Sequence, residues 1–202
     1  MQEFLTFFVT VIVVSISGVI TPGPLFASTV SSGLKQSLAG FKIAIGHTVV
    51  ELPLIFFIGL GVISLENFSE FRILITVFGS LSIFMFAALQ IRSLFHRVDI
   101  KKSKYGPFMT GIFLTGLNPF FLVWWFTIGM KLISDSIIMW SWWGIGIMFG
   151  LHIWMDYAWL GFVSMTSAKG ASFLVGRPYK ALFLGINCIL VYFGMVFLLD
   201  IF

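Results

Sequence analysis

The chain has 202 residues, 59% of them hydrophobic and 10% charged, with a mean hydropathy of +1.06. A soluble domain carries about 25% charged residues because its surface faces water. The composition therefore excludes one, and the length leaves room for about six or seven spans of ~20 residues and little else. The net charge of +4 comes from short clusters between apolar runs. Such clusters orient a chain in a bilayer, and with no basic face of interleaved aromatics they predict no nucleic-acid partner.

The start, Met1-Gln2-Glu3-Phe4, has no basic n-region, so the first apolar stretch is expected to be a retained span rather than a cleaved signal. That stretch, about Phe4 to Gly33, is too long for one straight crossing, and Pro22-Gly23-Pro24 breaks it. Ser28, Thr29, Ser31 and Ser32 follow the break and could line a polar path or satisfy backbone groups. The second span, about Gly40 to Ile63, contains Gly46-His47-Thr48-Val49-Val50-Glu51 and Pro53. The third runs from about Ile73 to Phe95, and a polar loop with Arg97, Lys101, Lys102 and Lys104 follows it. The fourth, about Pro107 to Met130, is broken at Asn118-Pro119. The fifth, about Ile137 to Met165, carries His152 and Asp156, and the sixth runs from about Ala181 to Leu199.

The fold class expected is an all-α integral membrane protein in one transporter domain. Six helices form a 3+3 inverted repeat, residues 1–95 and 106–202, with the first and fourth helices broken. The repeat rests on the order of features: a broken span, a span with His-x3-acid, then a plain span, twice. Glycines 40, 46, 59 and 61 and Gly146-x3-Gly150 are expected to permit close helix packing. Trp140, Trp142 and Trp143 look like an interfacial belt. Cys188 is the single cysteine, which excludes an intramolecular disulfide and a two-cysteine relay. His96 falls in the basic loop and is expected to be solvated.

His47 and Glu51, like His152 and Asp156, are four residues apart. On a helix each pair shares a face, about 5–6 Å apart at Cβ. A charged side chain at mid-bilayer costs about 2.5–3.5 kcal/mol on insertion scales, so each acid is expected to face the protein interior, a cavity or a partner. The two pairs are expected to converge between spans two and five, where a histidine beside a carboxylate suits a proton-coupled or cation-binding site. Thr21-Pro22-Gly23-Pro24 and Asn118-Pro119 read as starts of half-helices inside the protein, whose N–H groups attract anions such as an amino acid's carboxylate. The two breaks are expected to border one cavity.

These features together resemble the LysE/RhtB family of small amino-acid exporters. The residues that carry the resemblance are Thr21-Pro22-Gly23-Pro24, then Gly33, Gly40 and Gly46, and later Gly116-Leu117-Asn118-Pro119. Leu25 and Phe120, which follow the two breaks, depart from the residues many members carry there. The resemblance implies a secondary carrier in the plasma membrane that exports amino acids or related metabolites, driven by an ion gradient. The partners expected are a small-molecule substrate, a coupling ion with the proton first, and the lipid bilayer. Homo-oligomerisation stays open, and no catalytic residue, cofactor or resident metal is assigned. The alternative is a divalent-cation exporter in which His47, Glu51, His152 and Asp156 form an N/O site. An enzyme is disfavoured, since the chain has neither His-Glu-x-x-His nor Gly-x-Ser-x-Gly.

Ten of the twelve basic residues fall after spans one, three and five; Arg72 and Lys131 are the exceptions. The positive-inside rule puts the ten in the cytoplasm and both termini outside. A cysteine introduced at Ser103 should therefore resist an impermeant maleimide on intact cells. Labelling from outside would reverse the topology.

Overall fold

The computed structural model describes residues 2–65, 69–93, 105–169 and 177–199. Arg97, Lys101, Lys102, Lys104, His96 and Asp99 lie outside the described residues, as do Glu66 and Asp200. Every regular element among the described residues is helical: α1 Gln2–Val19, α2 Pro24–Gly33, α3 Ala39–Leu65, α4 Ser69–Ser93, α5 Pro107–Gly116, α6 Pro119–Trp124, a π-helical turn Trp125–Gly129, α7 Met130–Trp140, α8 Trp142–Ala168 and α9 Arg177–Leu199. Four stretches are long and apolar enough to cross a membrane: Gln2–Val19, Ala39–Leu65, Ile73–Arg92 and Pro119–Trp140. The 27-residue α8 is long enough but less apolar, because it carries His152, Asp156 and several aromatic rings with polar atoms.

Both breaks fall where proline dictates. After α1 the chain opens at residues 20–23, and Pro24 starts α2 at its first position, where the missing N–H costs nothing. Thr21 Oγ1 donates to the Ser17 carbonyl at 2.7 Å, satisfying one acceptor that the break leaves over. The second break is capped as its sequence suggests: the Asn118 side chain accepts from Phe120 N at 3.0 Å, with Pro119 following. By contrast α3 continues as one helix through Pro53.

One expected boundary moves. The charged stretch around Lys131 and Asp135 reads as the link between spans four and five, but it lies inside a helix that continues to Trp140. Lys131 Nζ donates to both Asp135 carboxylate oxygens, at 2.5 and 2.6 Å, and lies 4.9 Å from the Phe197 ring centre. An i,i+4 pair that neutralises itself lets an apolar helix carry two charges. The chain turns instead at Ser141, the one described non-glycine residue with positive φ, at 51°.

The bundle is organised around α3, which packs on α5, α8, α7 and α2, while α4 packs on α9 and α1 on α8 and α9. Its largest core joins Val11, Val14, Ile55, Ile83, Trp125 and Leu132 with Met148 and Leu190. Exposed residues such as Leu52, Phe56, Phe57, Phe78 and Leu81 give the outer surface the apolar character a bilayer requires. Ser164 Oγ donates to the Ser37 carbonyl at 2.8 Å, so the α2–α3 corner and the end of α8 lie together. The exposed Lys35, Lys42 and Lys169 therefore gather at one end. Trp142 and Trp143 are exposed just past the α7–α8 turn.

The glycine expectation holds in part. A methyl at Gly40 would strike the Leu160 carbonyl of α8, one at Gly46 the Phe108 carbonyl of α5, and one at Gly59 the Ile145 side chain. Gly61, Gly146 and Gly150 face open space, so Gly146-x3-Gly150 is not a packing seam among the described residues. A small-xxx-small pattern does not say which face meets a neighbour. The glycine that answers Gly46 is Gly111 on α5, whose added methyl would meet the Ile43 carbonyl. Gly46→Val and Gly111→Val should each destabilise the detergent-solubilised protein by about 1–3 kcal/mol, the usual range for overpacking. Gly150→Ala should leave thermal unfolding unchanged. Equal melting curves for all three would show that the α3–α5 contact is not tight.

Candidate functional site

Four ionisable side chains meet between α3 and α8. His47 and Glu51 share one face of α3, His152 and Asp156 one face of α8, and all four are at least nine-tenths buried. His47 Nε2 lies 3.1 Å from Glu51 Oε1, and His152 Nε2 lies 3.2 Å from the same oxygen. Asp156 stands across from both rings: its Oδ1 is 3.7 Å from His47 Nε2 and its Oδ2 is 3.3 Å from His152 Nε2. The geometry thus brings the two His-x3-acid pairs into one cluster with Glu51 at its centre.

Two further residues complete the cluster, and the sequence reading did not single them out. Trp125 Nε1 donates to Glu51 Oε1 at 3.2 Å, from the first residue of the π turn. π turns inside α-helices recur at functional sites. Thr115 Oγ1 lies 2.8 Å from His47 Nδ1, one turn before the second break. Thr115 thereby engages the imidazole nitrogen that Glu51 does not reach, which fixes the orientation of the ring. The available signal for Thr115 was a hydroxyl three residues before Asn118 in an apolar run; Trp125 carried none beyond its nearness to the break.

The cluster forms part of the wall of a cavity of about 290 Å³. Thr21, Pro22, Gly23, Pro24 and Asn118 line it together with His47, Glu51, His152 and Asp156. Both helix breaks therefore border the same space. Pro119 is not in the lining and is exposed. Ser28, Thr29, Ser31 and Ser32 are not in the lining either, and Thr29 Oγ1 donates to the Leu25 carbonyl at 2.8 Å. The rest of the wall is mainly aromatic and aliphatic, with Gln90 from α4 adding an amide.

Within this wall some bonding capacity is unspent. Glu51 Oε2, Asp156 Oδ2, His152 Nδ1 and Trp124 Nε1 are buried without a hydrogen-bond partner among the described residues. A buried polar atom without a partner costs about 1–3 kcal/mol. An ammonium group or a metal cation brought into the cavity would meet carboxylate oxygens still able to accept. His47, Glu51 and Asp156 each offer a ligand atom, and these atoms lie within 4.8 Å of one another.

The fold and this wall define a class: a helical membrane protein with a buried polar centre facing a cavity between its helices, the arrangement expected of a carrier. The chain matches the family described as LysE type translocator over residues 16–201, and it belongs to that family. It is therefore a membrane translocator, and members of the family are transporters rather than enzymes. No curated protein and no solved structure matches the chain.

Because three nitrogens converge on one oxygen of Glu51, stability should fall unequally when the network is cut. Glu51→Ala, which removes the shared acceptor, should cost about 3–5 kcal/mol, as for a broken buried pair. Thr115→Val, which strips one imidazole nitrogen of its partner, should cost about 1–3 kcal/mol. Thermal unfolding in detergent reads both, and a Glu51→Ala protein as stable as the wild type would show that the network does not hold α3 and α8 together.

Proposed function

We propose that this translocator is a secondary exporter of amino acids or related small metabolites, coupled to a proton or cation gradient. In this reading it has six spans arranged as a 3+3 inverted repeat in the plasma membrane, with both termini outside. The observation that carries the proposal is the meeting of two His-x3-acid pairs at a cavity that both helix breaks also border. The carboxylates would receive the substrate's amino group. The backbone N–H groups at the start of α2, which N-cap Gly23 serves with no side-chain bond, would receive its carboxylate. Proton coupling follows from competition: an ammonium bound at Glu51 and Asp156 displaces a proton shared between carboxylate and imidazole, so outward movement of one favours inward movement of the other.

A second reading has its own support. His47, Glu51 and Asp156 present one nitrogen and two carboxylates at a spacing a divalent cation could bridge, and mixed N/O donors suit zinc or manganese. In that case the metal ion is cargo, and Thr115 orients its histidine ligand.

Counterflow in proteoliposomes, with a panel of labelled amino acids and of divalent metal ions, separates the two. The first reading expects amino-acid exchange that responds to an imposed pH gradient. Glu51→Gln and Asp156→Asn keep the shape and remove the charge, so each should lower exchange at least tenfold and flatten its pH dependence while the protein still inserts. Wild-type rates with unchanged pH dependence in either variant would make that residue packing glue.

A further inference from the structure

The cavity wall divides chemically. One part is the His/carboxylate cluster of α3 and α8. Around it stand six aromatic rings, those of Phe26, Phe86, Phe120, Phe121, Trp124 and Trp125. Phe26 stacks on Trp159, and the other five rings meet one another or the cluster. Phe121 meets the His47 ring edge-on at 5.3 Å, Trp125 meets the His152 ring at 5.1 Å, and Phe120 meets Phe86 of α4 at 6.3 Å. Among the described residues no lysine or arginine lines the space, and the acidic groups there are Glu51 and Asp156. Glu51 Oε2, buried without a hydrogen-bond partner among the described residues, and Asp156 Oδ2, which lies 3.3 Å from His152 Nε2, belong to residues of this same wall.

We infer that the cavity selects a substrate that joins a single ammonium head to a large apolar or aromatic body, the leucine and phenylalanine class rather than lysine, arginine or glutamate. This rests on the amino-acid reading above and narrows it. The head needs a carboxylate acceptor, and the cluster supplies two. The body needs apolar surface at a shape that rings provide. A second ammonium or a guanidinium would have to leave water for a wall whose only charges are already engaged with the first. Ring faces attract a cation, but less than water and a counter-ion do together. A side-chain carboxylate would meet the same rings with no cation to answer it. The volume of about 290 Å³ lies at the small end of ligand pockets.

The test is counterflow in proteoliposomes containing the full chain, with leucine, phenylalanine, alanine, lysine, glutamate, phenethylamine and zinc ion as probes. We expect kcat/KM for phenylalanine and leucine at least tenfold above lysine and glutamate. Lysine or glutamate moving as fast as phenylalanine would overturn the inference while leaving the amino-acid reading intact. Phenethylamine outrunning phenylalanine would support the inference and remove the amino-acid reading. Zinc movement with no exchange of any organic probe would overturn both. Two variants probe the wall itself. Phe86→Ala should lower kcat/KM for phenylalanine at least fivefold more than for alanine, and Phe86→Glu should raise lysine exchange. If Phe86→Glu does not insert, Phe86→Ala decides alone, and an equal loss for both amino acids counts against the ring wall as the selector.

Discussion

Glu51 is a carboxyl group with no exposed surface in the middle of an apolar helix, and the arrangement of the bundle follows from what it needs. A lone charge there would cost several kcal/mol. The chain answers with three nitrogens at 3.1–3.2 Å from one oxygen, contributed by α3 itself, α8 and the π turn. To deliver them, three elements distant in sequence must come within side-chain reach of one point. α3 therefore sits at the centre and touches α5, α8 and α7 at once. The side left unspent by this network, Glu51 Oε2, belongs to a residue that lines the cavity. The same group thus holds helices together and provides the cavity with its chemistry.

Such convergence needs close backbones, and glycine supplies them. Gly46 and Gly111 remove the side chains that would hold α3 and α5 apart, which puts Thr115 beside His47. Gly33 and Gly40 do the same against Leu160 and Ser164 of α8, which brings Asp156 opposite the cluster. In lipid, where no hydrophobic force gathers helices, this close approach and the polar contacts are what association has to work with. The glycines and the buried polar residues are therefore one device seen from two sides.

The histidine–acid pairs were legible because their spacing of four is a helical face and because an apolar chain with three histidines leaves few other readings for them. The breaks were legible because proline and an Asn N-cap act locally. Membership of the family was legible in the same glycines and prolines. What lay hidden was long-range or directional. Thr115 is 68 residues from His47 and Trp125 is 74 from Glu51, and no local pattern pairs them. Among seven tryptophans, one that bonds a buried acid reads like one that anchors a helix in headgroups. Lys131 and Asp135 looked like a loop because charge was counted residue by residue, although an i,i+4 pair cancels inside a helix. Hydropathy undercounts α8 for the same reason: it treats His152 and Asp156 as facing lipid, whereas both are buried against α3.

The level of the breaks ties these features together. Gly33 and Gly40 both lie against Ser164, so the end of α2 and the start of α3 stand at one height. Climbing α2 backward from Gly33 to Pro24 covers ten residues, about 14 Å at 1.5 Å per residue. Climbing α3 from Gly40 to Val50 covers about 15 Å, and there Gly116 at the end of α5 packs against Val50. Both breaks therefore come near the level of Glu51, with which they share a cavity, even though the first follows an 18-residue segment and the second a 10-residue one. Pieces of unequal length on either side of each break are what the proposed inverted repeat would need in order to bring both breaks to one level. The second break caps its new helix with the Asn118 side chain, whereas the start of α2 has no side-chain cap and lines the cavity shared with the carboxylates and imidazoles. A bare ion would use only half of such a chamber. Under the proposed amino-acid reading, a zwitterion would find the uncapped start of α2 for one charge and the carboxylates for the other, so that reading accounts for the first break as well as for the acids.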